Sequence, residues 1–76
     1  MNNTRRKAIN SILERLSELR DELESVKDEE QEAFDNMPES LQGSERGEMM
    51  EECISYLEDA YSSLDEAIEN LESAVE

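Results

Sequence analysis

The chain lacks histidine and tryptophan altogether, and its 76 residues include one cysteine, one proline and two glycines. Without histidine there is no Ser-His-Asp triad, no H-E-x-x-H zinc site and no Glu-x-x-His di-iron bundle. Cys53 has no second cysteine to pair with, so a disulfide framework is excluded. One unpaired thiol suits a reducing compartment, and the expected location is the cytoplasm. The glycines Gly43 and Gly47 make no G-x-x-x-x-G-K phosphate loop. A calcium loop counted from Asp35 puts Ser40 where glycine is needed and Arg46 where the closing glutamate belongs. No apolar run exceeds two residues, which excludes a membrane span. Basic residues near the N-terminus are followed by no apolar stretch, so this is not a secretory signal. Without export, the sequon match Asn2-Asn3-Thr4 carries no meaning. The chain is therefore expected to be no enzyme, and to use no cofactor, metal or small-molecule substrate.

What is present is acid. Seven basic residues stand against 22 acidic ones, a net charge of −15. The imbalance is uneven: residues 1–27 hold six basic and five acidic groups, whereas residues 28–76 hold Arg46 and 17 acids. Such a surface repels nucleic-acid phosphates and anionic lipids, so the expected partner is a protein with a basic surface. High charge and low hydropathy are also marks of disorder, but the apolar residues are periodic, which argues for order.

From Ile9 onward the apolar steps alternate between three and four residues. Ile9, Leu16 and Leu23 fall at heptad position a, and Ile12, Leu19, Val26 and Ala33 fall at d. Ala8, Leu13 and Phe34 widen this stripe, and Glu30 breaks the a column near its end. In the second half Ile54, Tyr61, Ile68 and Val75 take a, while Met50, Leu57, Leu64 and Leu71 take d. Small residues Cys53, Ala60, Ala67 and Ala74 fill g and would let another helix come close. Cys53 in that column reads as a small buried hydrophobe, Tyr61 as core, and Tyr56 at c as an exposed residue able to anchor an interface.

Between the two arrays, Pro38 disfavours helical geometry at Met37, Gly43 closes the stretch PESLQ, and Ser44 is a good N-cap. The prediction is an all-α antiparallel helical hairpin, with one domain over residues 1–76. Its helices span about 4–36 and about 45–75, joined by a turn over about 37–44. Antiparallel pairing of Leu16 with Leu71, Leu23 with Leu64, Leu19 with Ile68 and Val26 with Tyr61 gives numbers that total 87 each time. Half of that falls between Gly43 and Ser44, where the turn signals already lie. The same register sets Arg20 and Lys27 on the flank of Glu58, Asp65 and Glu72, all at e. It also sets Arg5, Arg6 and Lys7 beside Glu69, Glu72 and Glu76 at the open end.

The a, d and g columns cover a face too broad for one partner helix. The hairpin is thus expected to dimerise into a four-helix bundle through Ile9, Ile12, Leu16, Leu19, Leu23, Val26, Ile54, Leu57, Tyr61, Leu64, Ile68 and Leu71. The acids form the candidate partner-binding surface. Asp28, Glu29, Glu32 and Asp35 crowd the end of the first helix, where carboxylates oppose its dipole. Glu48, Glu51 and Glu52 face them across the turn, and Glu58, Asp59, Asp65 and Glu66 continue the stripe. Rows of carboxylates on a rigid helix can imitate phosphates and block the basic groove of a nucleic-acid-binding enzyme. The alternative is an architectural protein that acts by self-association alone.

The stretch EEQEAFDNMPESLQGSERGE, residues 29–48, resembles a segment of small acidic helical proteins carried by phages and mobile elements of Gram-positive bacteria. The resemblance extends more loosely into both flanking helices. It implies a phage or mobile-element setting in the host cytoplasm, where small acidic inhibitors of host defence nucleases recur.

Overall fold

The computed structural model describes residues 1–76 and contains three helices with no strand: α1 over Asn3–Asp35, α2 over Glu39–Gln42 and α3 over Glu45–Val75. The two long helices pack side by side as an antiparallel hairpin of 58 × 14 × 13 Å. Neither long helix has proline or glycine in its interior, apart from Gly47 in the first turn of α3. The Asn2 side chain opens α1 by accepting from the Arg5 amide at 2.8 Å.

The turn is more ordered than the punctuation signals imply. Pro38, extended at φ −57° and ψ 144°, ends α1 and starts the single helical turn α2. Its carbonyl accepts from the amides of Leu41 at 2.8 Å and Gln42 at 3.1 Å. The Gln42 side-chain amide then donates back to the carbonyls of Phe34 and Met37, at 3.1 Å each. The Phe34 carbonyl, in the last turn of α1, also accepts from the Met37 amide at 3.0 Å, and Met37 lies just past the helix, so Gln42 ties down the end of α1 from beyond the turn. Ser44 caps α3 by accepting from the Gly47 amide at 3.4 Å, and its hydroxyl donates to the Leu41 carbonyl.

Glycine matters here at a position other than the expected one. Gly43 sits at φ −86° and ψ 2° with open space around it, so any residue could stand there. Gly47 is buried beneath α2. A Cβ on it would overlap the Gln42 carbonyl group and lie 2.6 Å from the Leu41 oxygen. Absence of a side chain at 47 is what lets the turn fold down onto α3.

The seam between the helices also differs from the expected one. On α3 it is a/d, with Ile54 and Ile68 buried and Tyr61, Leu57, Leu64 and Leu71 half-buried. On α1 it is a/e: Ile9, Leu16 and Leu23 point inward together with Leu13, Arg20, Lys27 and Phe34. The d residues Ile12, Leu19 and Val26, expected in the seam, are instead 39%, 53% and 52% exposed. The physical reason is the width of the apolar face on α1. Positions d, a and e span about 100° of the helix, and one neighbouring helix covers little more than two columns. Rotating toward e brings the Arg20 guanidinium within 2.8 Å of Asp65 and sets the Lys27 ammonium 5.8 Å from the Tyr61 ring centroid. The apolar d column is the one left outside.

Candidate functional site: an acidic flank and an uncharged face

The helix pair divides the surface by charge. One flank carries the e columns. There Arg20 bonds Asp65, and a shallow cleft is lined by Asn10, Leu13, Glu14, Ser17, Glu18 and Glu72. The other flank joins the d column of α1 to the g column of α3, as shown by a hollow that brings Ala33 together with Met50, Arg46 and the turn residues Met37, Pro38 and Leu41.

Of the candidate partner-binding acids, Asp28, Glu29, Glu32, Asp35, Glu48, Glu51, Glu52, Glu58, Asp59 and Glu66 are all exposed. Asp65 is half-buried and already engaged. Its hydrogen bond to Arg20 raises the guanidinium above its ordinary pKa, against a smaller opposing effect of desolvation. The structure holds two ion pairs, both made by Arg20: one to Asp65, and a looser one to Asp21 at 3.7 Å. The charge pairing expected at the open end is not formed. Arg6 donates instead to the Asn3 side chain at 3.3 Å, and Arg5, Arg6 and Lys7 make no ion pair with Glu69, Glu72 or Glu76. At the turn end the only side-chain contact among the acids is the Gln31 amide donating to Asp35 at 3.0 Å.

Because α3 is unbroken from Glu45 to Val75, the pairs Glu51-Glu52, Glu58-Asp59 and Asp65-Glu66 recur at each heptad. That interval is about 10.5 Å along the axis, close to three base-pair steps of a duplex. The f members Glu52, Asp59 and Glu66 lie on the side of α3 turned away from α1.

The opposite flank has no acid in its two central columns. Ile12, Leu19, Val26 and Ala33 line α1, and Cys53, Ala60, Ala67 and Ala74 line α3, with Met49 and Tyr56 beside them at c. Tyr56 is 67% exposed, as its position predicts. Cys53 is exposed, which corrects the expectation of a buried small residue. The reason is the same as for the d column: the hairpin uses a and d of α3, and g falls outside that seam. No helix here is long and apolar enough to cross a membrane. Compared with known proteins, the chain matches no family model, no curated protein and no solved structure.

Proposed function

We propose that this chain is a non-catalytic, acidic protein-binding module that presents its carboxylates to the basic surface of a nucleic-acid-binding protein, as an inhibitor of it. One observation carries the reading. Of the 17 acids after residue 27, Asp65 is the one with a cationic partner in the fold. Glu45 and Glu48 suit the first turn of α3, but folding gains nothing from the acids massed at the end of α1. Unpaired carboxylates at the end of α1 oppose its dipole and repel those at the start of α3. A partner that supplies the missing cations removes that repulsion and releases counterions, as a nucleic acid does. The phage or mobile-element setting belongs to this proposal, since an acidic inhibitor of a host defence nuclease is what such a surface would serve.

The test is affinity capture from a bacterial lysate at low and high salt. Basic nucleic-acid-binding proteins should be retained near 50 mM salt and released well before 500 mM, because screening at about 4–5 Å removes the attraction. Retention that ignores salt would reject the electrostatic reading.

A second reading is favoured by a separate observation, the exposure of Ile12, Leu19 and Val26 on the uncharged face. It is self-association, in which two hairpins cover their apolar faces as a four-helix bundle. The two readings are compatible, because they use opposite flanks.

A further inference from the structure

We propose that a second copy of this chain docks on the uncharged face, related by a two-fold axis that crosses the helices at the level of Leu19 and Ala67, so that the two turn ends point in opposite directions. This rests on the self-association reading and assigns its face and orientation. Three observations lead to it.

The first is area. A folded monomer of 8.8 kDa exposes about 4,800 Å² by the usual size scaling, whereas this chain exposes 5680 Å². The excess, about 900 Å², is close to the ~800 Å² that each partner contributes to a standard stable interface. The second is charge. With −15 on each chain, two copies can approach closely only where acids are absent, and the d/g face is that place.

The third is register. The cross-hairpin pairs Arg20 with Asp65 and Lys27 with Tyr61 have numbers adding to 85 and 88, so Leu19 and Ala67, adding to 86, stand at one level. Leu19 is also the midpoint of α1, which runs from Asn3 to Asp35. A two-fold there lays α1 over α1 of the second copy along its whole length. Leu19 meets Leu19, and Ile12 meets Val26 of the second copy. On the other side Ala67 meets Ala67, and Ala60 meets Ala74. Large side chains space one helix pair by about 10 Å and alanines the other by about 8 Å, both within the ordinary range.

Charge distribution then chooses the orientation. In α1, residues 3–19 carry Arg5, Arg6, Lys7 and Arg15 against Glu14 and Glu18. Residues 20–35 carry eight acids against Arg20 and Lys27. Antiparallel docking sets each basic half over the acidic half of its partner, with Arg15 beside Glu22 on the rim. Parallel docking would place both turn ends together, each with ten acids and Arg46 within residues 28–52.

The experiment combines sedimentation equilibrium with a spin-label distance on Glu39→Cys in a Cys53→Ala background, which retains the small g column. Glu39 lies about 30 Å along the axis from Leu19, so antiparallel docking separates the labels by about 60 Å. Parallel docking would hold them within about 25 Å, given the 14 × 13 Å cross-section of each hairpin. A dimer with the long distance supports the proposal. A dimer with the short distance overturns this orientation and leaves self-association standing. A monomer at 100 μM overturns both. Leu19→Glu checks the face: its exposure spares the hairpin, so helicity should persist while dimer affinity falls about 100-fold or more. A Leu19→Glu protein that still dimerises like the parent would show that the copies meet elsewhere.

Discussion

Replacing Gly47 with alanine tests how the turn is built, because propensity and packing predict opposite signs. Gly47 lies inside α3, and exchanging an interior helical glycine for alanine ordinarily stabilises by about 1 kcal/mol. In this fold the added methyl would overlap the Gln42 carbonyl group and stand 2.6 Å from the Leu41 oxygen. These are backbone atoms, so no rotamer change relieves the contact. Either α2 lifts from α3 or the first turn of α3 unwinds. Lifting α2 also draws the Gln42 amide away from the Phe34 and Met37 carbonyls, each now at 3.1 Å. Overpacking of this kind costs about 1–3 kcal/mol, and two lost hydrogen bonds add about 1–2 kcal/mol. Set against the propensity gain, the net expectation is destabilisation by about 1–4 kcal/mol. For a chain of this size that lowers Tm by roughly 4–30 °C. The assay is a far-UV circular dichroism melt at matched protein concentration, since any dimer makes Tm concentration-dependent. Gly43→Ala is the internal control. With open space and right-handed angles at that position, it should be neutral or stabilising by about 0.5 kcal/mol. A Gly47→Ala protein that melts above the parent would refute the close packing of α2 on α3.

Four further outcomes follow from the same geometry. Gln42→Ala should cost about 1–2 kcal/mol in a urea titration, although residue 42 is in neither long helix, because it removes the bonds to the Phe34 carbonyl at the end of α1 and to the Met37 carbonyl just past it. Ile68→Ala, at a position 3% exposed, should cost about 2–4 kcal/mol and leave the hairpin largely unfolded at 37 °C. Leu19→Ala, at 53% exposure, should leave a dilute monomer's stability within about 0.5 kcal/mol. Neutralising Glu30, Glu32 and Asp35 together with glutamine should raise Tm, by removing carboxylates worth about 0.3–1 kcal/mol each against the α1 dipole. The same triple change should weaken capture of a basic partner. Stability that rises while binding persists would move the contact surface away from the turn end.

Much of the hairpin was legible in the sequence because a few local rules agree on it. Alternating steps of three and four residues predicted the two long helices, and Pro38 with Ser44 placed the break between them within a residue or two. The shared e flank of Arg20 and Asp65 followed from the same register. What was hidden had a common cause. Positions a/d and a/e both produce alternating steps of three and four, so periodicity could not tell which pair α1 turns inward. Arg20 and Lys27 disguised the e column as polar, although their stems and charged ends serve the seam. The outward turn of Ile12, Leu19 and Val26, and with it the exposure of Cys53, depends on that choice. Gly47 and Gln42 were illegible for another reason: each matters through the path of a backbone several residues away. A glycine in a first helical turn reads as a mild defect until the chain folding over it is seen.

The most direct measurement of the central claim is competition. With a basic nucleic-acid-binding protein captured by this chain, increasing amounts of the chain are titrated into that protein's complex with labelled nucleic acid, and release is followed by fluorescence anisotropy. The proposed mimicry predicts full displacement, and its loss when Glu51, Glu52 and Glu58 are changed to glutamine and Asp59 to asparagine on an intact hairpin. A stable ternary complex of chain, protein and nucleic acid, or displacement unaffected by those four changes, would contradict it.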